Sequence, residues 1–385
     1  MTRYIRPPLS LFPVLIMVLG GAARLGAQGS ASLQGFGYPP GELSTRAEGT
    51  AGAIAEIDGA SPINPAALAI RAQGEVYAQY DPELRHVTGP TGSSNTTTTR
   101  FPNFGAILPF MGHWVAGLSV STFLDRTWET QLTSQQTIGA DAVTSTEIAR
   151  SQGGITDIRL ALAYAFNSRI RVGVGANGYG GSNNVALTEE FADTLRYRDI
   201  SQSTTLNYSG TAASGGVEVD LLPSLSVALS GRTGGAIKMY TGDTLLSRGR
   251  IPDNYAGSIS FQGIPGTLLA VRMARDLWSS LTPLSTAGAQ AVDATDISVG
   301  AESAGPRFGS AGEPIVIRLG VRRRTLPFLV GTTQVRETSF GGGLGIPLAQ
   351  NRVVLDMSLL RSNRTGVSGV AESAYGLSLG LRVHP

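Results

Sequence analysis

The sequence predicts an all-β fold: a transmembrane antiparallel β-barrel of about fourteen strands with an N-terminal plug inside its lumen. Apolar residues alternate with small or polar residues at a period of two along most of the chain after Gln73. Charged residues stand in mid-strand on the polar face, as a hydrated interior allows. Tight turns and longer polar loops also alternate along the chain. The strands of a soluble sandwich have the same period-two pattern, but their connections do not divide regularly into short and long ones.

The composition supports strands and excludes several classes of function. The chain has 385 residues, of which 50 are glycine and only 15% are charged, and it has no cysteine. Abundant Gly, Ser, Thr and Val favour β-structure over helix, and the absence of cysteine is compatible with export. The formal net charge is +2, close to neutral, so there is no electrostatic argument for a nucleic-acid partner.

Residues 1–27 have the pattern of a secretory signal peptide. Arg3 and Arg6 form the positive end, an apolar run follows from Leu9 to Gly20, and Leu25-Gly26-Ala27 provides a cleavage site. The run is too short to span a bilayer. We therefore expect a cleaved signal, a plug in residues 28–72, a barrel in residues 73–385, and localisation in the cell outer membrane.

The barrel strands are predicted from alternation and turn signals. They are expected near 74–88, 99–109, 113–135, 146–167, 169–188, 199–221, 224–241, 252–263, 267–281, 293–304, 313–325, 334–348, 351–362 and 371–383. Tight turns follow most even strands, as at Phe110-Met111-Gly112 and Leu222-Pro223. Longer polar loops are expected after odd strands, at Gly89 to Thr98, Glu189 to Arg198, Thr282 to Val292 and Ser362 to Val370. Short turns and both termini then share the periplasmic rim.

Residues 267–281 admit two interpretations. Val271, Ala274, Leu277, Trp278 and Leu281 have helical spacing, which would make this segment a loop helix. A strand is preferred, because without it the alternation of turns and loops breaks.

Eight charged residues are predicted to line the lumen. Two interpretations stay open: they form a paired, hydrated wall that holds the plug, or they line a ligand path. The candidates are Arg159, Arg171, Glu218, Asp220, Arg232, Arg318, Arg322 and Asp356.

No catalytic, metal or cofactor site is predicted, and we expect that the chain is not an enzyme. Residues 173–178 match G-x-G-x-x-G, but the following Tyr179-Gly180-Gly181 cannot open the helix that a dinucleotide site needs. The three histidines, His86, His113 and His384, lie far apart and have no neighbouring ligands at metal spacing.

The segment from Arg46 to Leu68 is rich in small residues, does not alternate like a strand, and carries a recognisable pattern. It reads Arg46-x-x-Gly49-x-Ala51-Gly52-Ala53, then Asp58-Gly59-Ala60-Ser61 and Asn64-Pro65-Ala66-Ala67-Leu68. Ile317 to Gly320, Gly342 to Gly345 and Val353 to Leu359 fit the same family pattern. The chain thus resembles the FadL family of outer-membrane transport proteins for long-chain fatty acids and other hydrophobic compounds, and the related PorV-type barrels.

The resemblance implies that residues 28–72 form a hatch inside the barrel and that the barrel passively takes up hydrophobic small molecules, fatty-acid-like or aromatic. Expected partners are outer-membrane lipid, the hydrophobic ligand and, during biogenesis, the barrel assembly machinery. The PorV-type alternative is a binding or scaffold barrel with a secretion-system partner. The hatch and gating residues implied are Arg46, Gly49, Gly52, Asp58, Ser61, Asn64, Pro65 and Ala66.

Overall fold

The computed structural model describes residues 37–70, 73–89, 92–138, 141–285, 290–307, 313–330, 332–367 and 370–385. The predicted signal peptide, at residues 1–27, lies outside these ranges, as do hatch residues 28–36 and 71–72. The bounds predicted for both segments therefore stay predictions.

The described chain forms a closed antiparallel barrel of fourteen strands, because β14 pairs back onto β1 from Val76↔Val383 to Thr88↔Ala371. This confirms the predicted fold class. Three strands, β2, β3 and β8, are interrupted by a short break. The strands are β1 Glu75–Gly89, β2 Gly92–Arg100 with Asn103–Phe110, β3 Trp114–Asp125 with Trp128–Ile138, β4 Asp141–Ala165, β5 Ile170–Phe191, β6 Ile200–Leu222, β7 Leu225–Thr241, β8 Thr244–Arg250 with Asn254–Ile264, β9 Thr267–Asp276, β10 Ala294–Arg307, β11 Pro314–Val330, β12 Thr333–Leu348, β13 Val353–Val367 and β14 Val370–Val383.

The period-two alternation divides the two faces of the wall. Outward-facing side chains such as Leu108, Leu160, Val174 and Leu319 are 62–64% exposed, although they are large and apolar. Their inward neighbours are small, polar or charged, and many are buried against the hatch. An apolar outer band around a polar interior is the pattern of a barrel that faces lipid.

The predicted loops at Gly89 to Thr98 and at Ser362 to Val370 are corrected by the structure. β2 begins at Gly92, β13 continues to Val367 and β14 begins at Val370. The Thr-rich segment pairs with β1, as at His86↔Asn95, because β-branched threonines favour strands even when they are polar. The polar sequence of these two segments therefore indicates strands that extend beyond the apolar outer band. β4, with 25 residues, is far longer than the ~9–11 that span a membrane.

The ambiguous segment 267–281 contains both a strand and a helix. β9 ends at Asp276, earlier than predicted, and Trp278–Leu284 forms a 3-10 helix. Trp278, Leu281 and Leu284 are buried in a cluster inside the barrel. The helical spacing of Trp278 and Leu281 in the sequence reflects this 3-10 helix, whose apolar side packs into the lumen.

The hatch contains one short α-helix, α1 (Thr45–Gly49), and the 3-10 helices Ala55–Ile57 and Pro65–Ile70. Ser44 caps α1, because its Oγ accepts a hydrogen bond from the Ala47 amide at 3.1 Å. The chain reverses at Gly52, whose φ of +90° is a conformation that favours glycine. No helix within the described ranges is long and apolar enough to cross a membrane.

Glycines of the wall let the hatch backbone approach closely. A Cβ at Gly320 would lie 2.1 Å from the Thr50 carbonyl oxygen, and one at Gly173 would lie 2.4 Å from the Pro65 carbonyl carbon. On β12, Gly341 and Gly343 touch the α1 backbone, whereas a Cβ on Gly342 would meet nothing closer than 3.7 Å. Only glycine fits the hatch-facing positions without movement of the backbone.

We expect Gly320→Ala and Gly341→Ala to displace the hatch, because the added methyl group would overlap backbone that cannot move aside alone. Passage of small polar solutes through the purified barrel in liposomes should rise severalfold. Gly342→Ala, on the same strand, is the control and should leave passage unchanged. Equal leakage in all three variants would show that the glycines do not seat the hatch.

Candidate functional site in the barrel lumen

A chain of ion pairs joins the hatch to four strands. Arg46 binds Glu302 of β10 at 2.8 Å, and Arg318 of β11 binds the same carboxylate at 2.7 Å. Arg318 also binds Asp356 of β13 at 2.7 Å, and that aspartate binds Arg382 of β14. Burial alone would lower the pKa of Arg46, but the Glu302 carboxylate raises it above its ordinary value. Arg46 therefore stays charged.

The other predicted hatch residues hold the segment together or set its packing against the wall. Asp58 accepts hydrogen bonds from the hydroxyl groups of Ser44 and Ser61. Asn64 donates to the Glu56 carbonyl at 2.9 Å and accepts from the Ala66 amide at 3.0 Å, which fixes the turn before Pro65. These groups are buried and mutually bonded. They shape a compact plug.

The structure places all eight lumen candidates on the inner face of the wall. Arg171 pairs with Glu218 at 3.0 Å and with Asp220 at 2.8 Å, apart from the hatch ion pairs. Arg322 donates to Asp296 at 2.9 Å. These ion pairs agree with the paired-wall interpretation, which stays a prediction. Arg232 is paired with Glu42 and lines the cavity described below, whereas two nitrogen atoms of Arg159 have no hydrogen-bond partner among the described residues.

Sequence reasoning missed a polar cluster that surrounds Tyr38. The guanidinium carbons of Arg85, Arg100, Arg324 and Arg364 lie 4.7–5.2 Å from the centre of its ring. The Tyr38 hydroxyl donates to Glu337 at 3.1 Å. The balancing carboxylates are Glu83, Asp125, Glu337 and Glu372. The charged members could have been predicted, because each stands at an inward-facing position in the alternating pattern of its strand. Nothing in the sequence marks Tyr38 as part of this cluster.

The wall has a gap beside Tyr38. The first segment of β2 (Gly92–Arg100) pairs with β1 alone, and the second segment of β3 (Trp128–Ile138) pairs with β4 alone. A depression lined by Thr96 to Phe101 and by Trp128 opens between them. From inside, Tyr38 exchanges two backbone hydrogen bonds with Asp125, at 2.7 and 2.9 Å. The hatch thus closes the inner side of this gap.

Above the hatch lies a cavity with an aromatic wall. Phe123 stacks on Trp278 with ring centres 5.1 Å apart and meets Tyr179 edge-on at 4.9 Å. Arg232 lies 5.3 Å above the Phe123 ring. The cavity measures about 80 Å³, well below the ~300–1,000 Å³ of a typical ligand pocket. The cavity is therefore too small to enclose a typical ligand whole.

Arg159 lies next to this cavity and is unpaired. It is 3% exposed, and its Nε and Nη1 atoms have no hydrogen-bond partner among the described residues. Across the strands it sits opposite Asn177, which lines the cavity, and Ser119, whose hydroxyl is also unpaired. A buried N–H group left without a hydrogen bond costs about 1–3 kcal/mol, so this position suits a group that accepts hydrogen bonds.

Glu42 joins the hatch to the floor of the cavity. It contacts Arg232 of β7 at 3.3 Å and accepts a hydrogen bond from Ser121 of β3. Burial, together with the nearby Asp157 carboxylate, raises the pKa of Glu42 to about 7 despite the opposing Arg232 charge. Docking of the hatch therefore favours a protonated Glu42.

Hatch docking should weaken as pH rises. A released Glu42 has an ordinary pKa of 4.5 and the docked one about 7, so the docked form binds the extra proton between these values. From pH 5.5 to 8 the docking constant should fall on the order of tenfold. Hydrogen exchange of hatch amides, corrected for the intrinsic effect of pH, measures this docking constant. In Glu42→Gln the dependence should vanish; if it persists there, another group is responsible.

Within the described residues, no group of three or more His, Asp or Glu side chains is placed to hold a metal ion.

The comparisons with known proteins agree on the fold. No protein-family model matches the sequence, and no curated protein matches it. A FadL homologue of Pseudomonas aeruginosa is similar in structure, with a TM-score of 0.61 and 12% identity over 90% of this chain and 99% of the other. The toluene transporter TbuX of Ralstonia pickettii has a TM-score of 0.57 and 14% identity, over 89% and 98%. The monoaromatic hydrocarbon channel CymD has a TM-score of 0.56 and 14% identity, over 89% and 97%. The predicted FadL-type fold is confirmed.

Proposed function

We propose that this chain is a passive channel in the outer membrane for small hydrophobic molecules, and that the hatch gates it. The observation that carries the proposal is the cavity with its aromatic wall, close to Arg159, which is buried and has two nitrogen atoms without a hydrogen-bond partner among the described residues. Aromatic and apolar walls with a few converging polar groups are the usual makeup of a small-molecule site. The FadL-type fold, shared with proteins described as toluene and hydrocarbon channels, supports the same class of function.

The ligand class that fits best is an amphiphile with one anionic head group. Phe123 and Trp278 offer flat apolar surface to an acyl chain or an aromatic ring. Arg159 offers N–H groups that a carboxylate would accept, with charge-assisted bonds stronger than those to a neutral group. A pure hydrocarbon would leave these donors unpaired. Fatty acids and aromatic carboxylates are therefore favoured over toluene-like molecules.

The route that we propose enters at the rim of the long hairpins and reaches the cavity from there. Movement of the hatch withdraws Tyr38 from Asp125 and frees the gap between β2 and β3. The ligand then leaves sideways through the wall. Exit into the periplasm past a displaced hatch is the other route that the same movement would open.

Linking the hatch to the wall should block uptake. Thr45 Oγ1 and Ser378 Oγ of β14 lie 2.7 Å apart, and the chain has no native cysteine, so Thr45→Cys with Ser378→Cys should form a disulfide. Uptake of radiolabelled dodecanoate by cells carrying this variant should fall at least tenfold and return on reduction. Each single cysteine variant is a control. Full uptake with the disulfide formed would exclude hatch gating.

Arg159 should select for a carboxylate. Purified barrel should bind decanoate at least about tenfold more tightly than decanol, the size of effect expected for a hydrogen bond to a charged group. Calorimetry should find this preference lost in Arg159→Gln. The matched control is Arg171→Gln, because Arg171 is a lumen arginine that already has two carboxylate partners. An unchanged preference in Arg159→Gln would assign carboxylate recognition to another residue.

The second candidate function is a PorV-type scaffold for a secretion system. The long hairpins of β3–β6 favour it, since the end of β3, residues 133–138, is exposed on both faces and offers protein-contact surface. Affinity purification from native membranes distinguishes the two functions. A stoichiometric protein partner without bound amphiphile would support the scaffold and would count against uptake.

A further inference from the structure

Three arginines on neighbouring strands face outward where the apolar band ends. On β11, the outward-facing Leu319 and Val321 are followed on the same face by Arg323. On β13, Leu359 is followed in the same way by Arg361. On β12, which runs in the opposite direction, Arg336 lies beyond Phe340 on the outward face. All three lie toward the rim of the long hairpins, opposite the chain termini.

The strand register brings these arginines into one patch. Arg323 lies opposite Thr338, two residues from Arg336, so the two are diagonal neighbours about 7–8 Å apart. Arg361 lies opposite Phe340, one step nearer the apolar band, and its guanidinium is 5.5 Å from the Tyr375 ring. Guanidinium groups at this spacing can bind neighbouring phosphate groups, each in a bidentate manner.

The patch has no acidic counterpart in the part of the chain that the structure describes. Arg323 and Arg336 make no hydrogen bond or ion pair there, and Arg361 contacts only the Tyr375 ring. The acidic residues nearby, Glu337 and Glu372, are buried and bind inward-facing arginines. The inner arginines of the same strands, Arg322, Arg324 and Arg364, are all paired. The outer three are thus available to an external anion.

We propose that Arg323, Arg336 and Arg361 bind the phosphate groups of a multiply acylated phosphoglycolipid in the outer leaflet. The acyl chains would lie along Leu319, Phe340 and Leu359, and the phosphates would sit above them, where charge and apolar surface meet. A lipid with two phosphates and several chains matches both parts of the patch; a soluble anion matches only one. The inference rests on the outer-membrane placement in the proposed function, but not on transport.

Native mass spectrometry of the detergent-purified barrel tests this site, with bisphosphorylated lipid A as the probe. The wild type should retain lipid A, and the triple variant Arg323→Gln, Arg336→Gln and Arg361→Gln should bind it at least tenfold more weakly. The matched control removes three charges at the opposite rim, with Arg169→Gln, Arg307→Gln and Arg352→Gln, and should bind like the wild type. Heat-modifiable mobility verifies that each variant is folded.

Equal loss in both triple variants, or no loss in the first, would overturn the proposal. Inorganic phosphate should not compete at millimolar concentration, and phosphatidylglycerol should bind at least tenfold more weakly than lipid A. Equal binding of phosphatidylglycerol would overturn the glycolipid assignment. Dodecanoate uptake should be unchanged in the Arg323, Arg336 and Arg361 triple variant. The uptake assay and the lipid-binding assay therefore test the proposed function and the lipid site separately.

Discussion

The lumen depends on the pairing of buried charge between the hatch and the wall. A charge held away from water costs several kcal/mol, roughly, unless an opposite charge meets it with good geometry. Arg46 meets Glu302, Glu56 meets Arg272, and the ring of Tyr38 lies among four arginines whose carboxylates come from several strands. The wall partners are also paired with one another, as Glu302 is with Arg318 and Arg272 is with Asp296. The hatch therefore adds its charges to a network that the wall already holds together.

Close backbone packing adds shape to this charge pairing. The hatch is rich in small residues and the wall is rich in glycine, so the backbone of one lies directly on the other at Gly320 and Gly173. Such contact buries few large side chains, and it is easily lost when the two surfaces separate. The polar pairs set the position of the hatch, and the small residues allow it to sit there.

Arginines without an ion pair are informative because most buried arginines of the described chain have one. Among the described residues, Arg159 forms no ion pair inside the barrel, near the aromatic cavity, and Arg323 and Arg336 form none outside, next to the apolar band. Each place combines a cation with apolar surface, so each fits an anionic amphiphile. The inner one suggests a transported molecule and the outer one a resident lipid. The two proposals follow from one physical argument and are tested independently.

The sequence by itself determined the barrel, its strand number and the presence of a plug near the N-terminus, because alternation and small-residue composition are local properties. It did not determine which charges meet: Tyr38 and Glu337 are 299 positions apart, and only the closed register brings them together. The sequence likewise did not determine that Phe123 and Trp278 stack, because their contact depends on the inward fold of the 3-10 helix after β9. The Thr-rich strands at Gly92–Arg100 looked like a loop, since polarity hid their pairing with β1. Tertiary structure decided these points, because register and closure are properties of the whole sheet.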